Sequence, residues 1–223
     1  MRGATPGPAA RKVVKQGKRE LNRINNRRAI LHAARECFRE RGYEQTTIRD
    51  IIRRTDLAAG TFYNYFSDKR DIFIALLQSF LGNLRTLIKA GHRNARDELD
   101  LIRSTYLALF RATAEDPIIY ELAYRNDQAI RELLGADLLG LAMASLEEDL
   151  RRAVANGLID IDDQDYLSAT CRGIAYEMSL QLAHRVADAP ERAEEEAERA
   201  ADFAVNMLRY SFSADSRQWR SQV

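Results

Sequence analysis

Apolar residues recur along this chain at steps of three and four, and no stretch keeps the two-residue alternation of a half-buried strand. Leu21, Ile24, Leu31, Ala34 and Phe38 predict one amphipathic helix reaching about Arg41, where Gly42 is a natural stop. Ile48, Ile51 and Ile52 share a face of a short helix over 46–54, capped by Thr46 or Thr47, with Asp50 as a capping-box partner of Thr47. A turn through Thr55 and Asp56 leads to a second short helix over 58–64, which buries Phe62, and Phe66 closes the unit. A helix capped by Ser67 or Asp68 then carries Ile72, Phe73, Leu76, Leu77, Phe80, Leu81, Leu84 and Ile88, with a turn expected around His92. Further helices are predicted over 97–113, 118–134 (one or two, opened by Pro117 and stopped by Gly135) and 138–156. Two more run from Asp162 or Asp163 to Leu182, and from Pro190 to Phe212. The fold class is all-α.

Two short helices joined by a tight turn make a helix-turn-helix, whose second helix can enter the major groove of DNA. Arg49, Thr61, Tyr63, Asn64, Tyr65 and Lys69 are donors suited to phosphates or base edges, and Ala58, Ala59 and Gly60 leave the front of the second helix bare. Charge changes the picture further. The net charge of +1 is uninformative, but residues 1–70 hold 17 Lys+Arg against 7 Asp+Glu, and the remainder holds 17 against 26. A basic front on an acidic body is expected where only the front meets phosphate. Residues 1–20 read as a basic disordered tail, with the option of an arm that touches phosphate.

The stretches TTIRDI and AAGTFYNYFSDKRDIF resemble the DNA-binding signature of the TetR family of transcriptional regulators. The resemblance covers residues 27–77, with GTFYNYFSDK its most specific part. Thr55-Asp56 stands where the family usually has Ala-Gly, and Ala58 where it often has Ser or Thr. The resemblance implies an N-terminal three-helix helix-turn-helix domain joined by a long helix to a C-terminal helical ligand-binding and dimerisation domain. The expected divisions are a tail over 1–20, the DNA-binding domain over 21–79, the effector and dimer domain over 80–213, and a flexible tail over 214–223. By the same resemblance Arg49, Thr61 and Tyr63 touch base edges, Gly60 lets backbone approach, and Thr47, Asn64, Tyr65 and Lys69 hold phosphates of a pseudo-palindromic double-stranded operator.

The implied partners are a second copy of the chain and an apolar small-molecule effector. Tyr106, Phe110, Tyr124, Arg125 and Tyr176 are the candidates for the effector site, being aromatic or cationic groups on or near apolar stripes. A homodimer seam from the last two helices is placed on Ile174, Met178, Ala204, Met207 and Leu208. The function expected is a ligand-responsive regulator, a repressor released from its operator by that effector. The alternatives are a fatty acyl-type regulator whose ligand strengthens DNA binding, a helical enzyme, or an adaptor that does not bind DNA. Two distant cysteines and three histidines offer no metal cluster, and no Gly-rich phosphate loop, GxSxG elbow or HExxH is present. No catalytic residue, metal or cofactor is therefore expected. No apolar run approaches the ~18 residues of a bilayer span, so no membrane contact and a cytoplasmic location are expected.

Overall fold

The computed structural model describes residues 8–126, 130–131, 138–159 and 163–211. Within them all regular structure is helical: α1 Pro8–Gln45, α2 Ile48–Arg53, α3 Ala59–Phe62, α4 Lys69–Asn94, α5 Glu98–Glu115, α6 Pro117–Arg125, α7 Leu138–Ala155, α8 Gln164–Asp188 and α9 Ala193–Ser211. A 3-10 turn, Pro190–Arg192, leads into α9. The chain divides into two compact units, Met1–Leu76 and Leu77–Val223. The second half of the helix expected over 118–134, the Gly135 stop, Phe212 and the tail over 214–223 fall outside the described residues or are only partly within them.

In the first unit, α1 differs from expectation at its start. It opens at Pro8, well before Leu21, so the tail expected over 1–20 is helical from residue 8. Proline suits a first helical turn, where its missing N–H would have no partner, and the residues after it are mostly good helix formers. Leu21 and Ile24 lie on a helical stripe yet are 58% and 41% exposed. The helix breaks where expected: Gly42 takes φ 77°, a left-handed conformation open to glycine. The Thr46 hydroxyl then donates to the carbonyls of Gly42 and Cys37, at 2.7 and 3.1 Å, tying the break down. Ile30, Ala34, Cys37 and Phe38 of α1 pack with Ile51, Phe62, Phe66, Ile72 and Leu76 into this unit's core.

The second unit is built round α5. Nine of its residues, among them Ile102, Tyr106, Leu109, Phe110 and Ala112, are buried on several sides, and it packs against α6, α7, α8 and α9. Where Gly91 of α4 meets it, an added Cβ would stand 2.8 Å from the Ser104 Cβ, so that approach depends on glycine. Helix α4 runs through His92 to Asn94, past the turn expected there. By length and hydropathy α4 is apolar enough to cross a membrane, against the sequence expectation; half of that stretch is buried inside the protein, as in a core helix. The last helix is held on α5 by ion pairs: Arg103 with Asp202 (2.7 Å) and Glu198 (2.6 Å), and Arg111 with Glu198 (2.9 Å) and Glu194. Ala197 and Ala201 between these pairs, and Ala204 just beyond them, are fully buried, and their small side chains let α9 lie close.

The Arg111 guanidinium, through its hydrogen bonds and then its charge, holds the Glu194 carboxyl below its ordinary pKa. A depressed carboxyl contributes stability above its unfolded pKa and loses that contribution as pH falls through the folded one. Glu194→Gln should therefore lower the melting temperature at pH ~7, and its difference from wild type should shrink toward zero by about pH 3. Thermal denaturation followed by circular dichroism across that range measures it.

Candidate nucleic-acid interface

The geometry of α2 comes from its cap. The Asp50 amide donates to the Thr47 hydroxyl (3.2 Å), and the Asp50 carboxylate accepts from the Thr47 amide (3.0 Å) and hydroxyl (2.6 Å). Those hydrogen bonds, with Arg41 nearby, hold the Asp50 carboxyl below the ordinary aspartate range. The turn after α2 needs no left-handed residue, since the only positive φ angles among the described residues are at Gly42 and Gly157. Instead the Thr55 hydroxyl donates to the Ile52 carbonyl (2.9 Å) and accepts a long bond from the Leu57 amide (3.4 Å). The Thr55 side chain thus does by hydrogen bonding what a glycine turn does by conformation.

Helix α3 is a single turn. Its N-cap, Ala58, makes no side-chain hydrogen bond, so the front of the helix stays bare. Phe62, fully buried and stacked edge-on with Tyr63 at 5.5 Å, anchors it. Gly60 has a negative φ and empty space within 4 Å of where a Cβ would stand. Nothing inside this unit requires glycine there.

The eight residues expected at this surface divide by what else they hold. Arg49, Gly60, Tyr63 and Asn64 are exposed, Tyr63 at 57%, and Thr61 is half-buried beside them. Thr47 is exposed, but its hydroxyl belongs to the capping box. Tyr65 accepts through its hydroxyl from the Asn26 amide group (3.3 Å) and ties the unit to α1. Lys69 donates to the carbonyls of Tyr43 (2.6 Å) and Glu44 (3.2 Å), with its ammonium 4.3 Å from the centre of the Tyr43 ring. Lysine there closes the end of α1. Arg27 was not anticipated: its guanidinium lies 5.4 Å from the Phe66 ring, and the residue is exposed on the same side of α1 as the Asn26–Tyr65 bond. Its four-residue spacing from Arg23 and Arg19 was the available signal.

The second unit separates the effector candidates. Tyr106 and Phe110 are fully buried and stacked at 5.9 Å, and the Tyr106 hydroxyl donates to the Cys171 carbonyl (3.0 Å). Burial pushes the Tyr106 hydroxyl pKa far up and the Cys171 thiol to about 11, so both stay neutral. These two aromatics are packed core. Tyr124 meets Tyr176 edge-on at 5.9 Å and bonds Glu177 (2.7 Å), while Arg125 is exposed and paired with Glu121. The Thr113 hydroxyl is buried with no hydrogen-bond partner among the described residues. A cluster of His92, Thr105 and Asp149 has the ingredients of a catalytic triad but not its geometry. Thr105 (2.8 Å) and Asp149 (3.3 Å) both meet Nε2 of His92, and Arg152 already holds the carboxylate at 2.5 Å. A relay needs the base to bond nucleophile and carboxylate through different nitrogens.

The expected seam needs correcting. Ala204 and Leu208 are buried within the subunit, at 0% and 2% exposure, where α9 packs on α5 and α8. A helix surface is only as wide as its heptad allows, and the stripe read from sequence overlapped two faces. Met207 (44%) and Phe203 (59%) point outward, and Ile174 and Met178 are half-buried. Met178, Leu182, Arg185, Ala200, Phe203 and Asn206 line part of a surface groove of about 640 Å³ between α8 and α9.

The family described as bacterial regulatory proteins, tetR family, matches residues 30–76, the core of the first unit. Residues 30–76 are similar to the helix-turn-helix unit of that family. The chain is similar to the transcriptional activator FasR of Mycolicibacterium smegmatis, at 28% identity over 55% of this chain and 57% of that one. It is also similar to the transcriptional repressor AcnR of Corynebacterium efficiens, at 42% identity over 24% of this chain and 28% of that one. The chain thus spans between about a quarter and just over half the length of these relatives. Among solved structures, the TetR-like fold extends through both units. The transcriptional regulator FadR of Bacillus subtilis, in complex with stearoyl-CoA, covers 83% of this chain and 98% of its own, at 18% identity and a TM-score of 0.66.

Gly60→Ala separates a binding surface from a folding requirement. In free protein the change should be neutral or stabilising by up to ~1 kcal/mol, because alanine favours helix and meets open space. On DNA it should weaken affinity by about tenfold, or ~1.4 kcal/mol, where backbone must approach closely. Urea denaturation and a gel-shift titration of the same samples measure the two effects.

Proposed function

We propose that this chain is a ligand-responsive, DNA-binding transcriptional regulator that works as a homodimer. The observation that carries the reading is the bare front of α3. It is uncapped, has open space at Gly60, and is flanked by exposed Arg49, Tyr63 and Asn64 in the basic part of the chain. We assign Arg49, Thr61 and Tyr63 to base edges, and Asn64 to phosphate. Thr47, Tyr65 and Lys69 shape the surface through their internal bonds and add phosphate contacts only through atoms those bonds leave free. The polarity we propose is repression relieved by effector. The alternative, a ligand that strengthens DNA binding, is kept because the named relatives include an activator as well as a repressor.

We place the effector in the helical second unit, near Tyr124, Tyr176 and the unpartnered Thr113 hydroxyl, with Tyr106 and Phe110 as its packed wall. An apolar ligand of the fatty acyl kind is favoured, since a protein of this fold is known with stearoyl-CoA bound. A ligand preferring one conformation about 100-fold supplies ~2.7 kcal/mol per site, enough to empty an operator held near its midpoint. The dimer face we propose is Ile174, Met178, Ala200, Phe203 and Met207, a partly exposed apolar strip on α8 and α9. Two copies on one dyad present two recognition helices to the half-sites of a palindrome. We read the chain as non-enzymatic and acting where the DNA is, in the cytoplasm.

A gel shift on the DNA upstream of its own gene, with and without a panel of acyl-CoA compounds, tests the whole reading. No shift on that DNA or on a selected duplex pool would remove DNA binding; shifts indifferent to every compound would remove the switch. Arg49→Ala should cost roughly 1–3 kcal/mol of operator affinity and relax preference at one base position, read by competition against single-base variants. Phe203→Glu places like charges across the proposed dyad, and sedimentation should then give monomers with unchanged helicity where wild type gives dimers.

A further inference from the structure

The part of α1 that precedes the family match is strongly basic. Between residues 8 and 29 there are eight Lys+Arg and one acid, Glu20. That one acid pairs with Arg23 (2.8 Å), and both side chains remain more than half exposed. The cations keep a helical spacing. Arg19, Arg23 and Arg27 are four residues apart, which sets them along one side of α1, and Lys12 and Lys15 continue the same three- and four-residue spacing in sequence. Arg19, Arg23 and Arg27 are exposed. At its inner end this row adjoins the helix-turn-helix: Arg27 lies over Phe66, and its neighbour Asn26 bonds Tyr65. The row is therefore continuous with the surface assigned to DNA and leads away from it.

We infer that the N-terminal extension of α1 is a second DNA-binding element, which holds backbone phosphates flanking the site read by α3. This inference rests on the DNA-binding reading above. From Arg27 to Lys12 the helix rises about 22 Å, against about 34 Å for a turn of duplex, so the row reaches phosphates beyond the half-site without leaving its neighbourhood. Such contacts carry no sequence information; they raise affinity through counterion release and make it salt-dependent. An anionic membrane is the competing occupant of a basic helix. The large apolar residues of this segment are Val13, Val14, Leu21 and Ile24, with no aromatic residue among them, too little apolar surface for insertion.

The test compares full-length wild type with Lys12→Gln/Lys15→Gln/Arg19→Gln/Arg23→Gln, whose replacements keep helix propensity. The probe is a duplex enriched from a random pool by the wild-type protein, used with long flanks and trimmed to its enriched core. On the flanked duplex the slope of log affinity against log salt should be shallower for the variant by about 3.6 for each bound subunit, or about seven for the dimer. Wild type on the trimmed duplex should fall to the variant's slope, and Arg19→Lys/Arg23→Lys should keep the wild-type slope. An unchanged slope for the glutamine variant, with wild type binding normally, overturns the inference and leaves the regulator reading intact. Equal losses on flanked and trimmed duplexes overturn the flanking placement. A wild type that binds no duplex overturns both readings. Loss of binding to phosphatidylserine vesicles, with DNA affinity and slope unchanged, overturns it in favour of a membrane.

Discussion

Burial of the Phe62 ring is the interaction on which the recognition surface depends. A helix of one turn has almost no stability of its own, because nucleation fixes several residues for a single hydrogen bond. Helix α3 has no side-chain cap, so its orientation is set from beneath: Phe62 is fully buried and Phe66 nearly so. Around that anchor the chain adds polar ties: the Thr47–Asp50 box, the Thr55 turn, the Asn26–Tyr65 bond and the Lys69 ammonium on the last carbonyls of α1. The outer face is left free to meet a partner because the inner face and the edges do the holding.

That division explains which site residues were legible in sequence. The apolar period placed Ile51, Phe62 and Phe66 in the core, and the capping rule found Thr47 with Asp50, since both signals are local. Exposure of Arg49, Tyr63 and Asn64 followed from the same period. Lys69 and Tyr65 were read only as outward donors because their partners, Tyr43, Glu44 and Asn26, are 25 to 39 residues away and no pattern announces such contacts. A side chain's own chemistry does not say whether another part of the chain has already used it.

The remaining differences share a cause. Leu21 and Ile24 fit a helical stripe, yet both stay exposed, since burial needs a packed neighbour as well as a stripe. On α9 the periodic Ala and Leu positions were correctly seen as a helix but assigned to the wrong contact. One residue of register separates Ala204, buried inside the subunit, from outward-facing Phe203. Tyr106 shows the same limit: its hydroxyl on an apolar stripe suggested a contact with ligand, and the Cys171 carbonyl accepts from it within the subunit. Periodicity identifies a face; only the packed partner says what the face is for.

Helix α5 is enclosed by α6, α7, α8 and α9, with buried residues in nearly every position from Thr105 to Thr113. Its backbone amides are shielded from solvent by side chains belonging to four other helices. No local fraying can uncover the middle of such a segment, so its hydrogens exchange with water only when the second unit opens as a whole. The slowest-exchanging amides of α5 consequently report the global opening free energy of that unit, while the ends of α8 and α9 report only their own fluctuations.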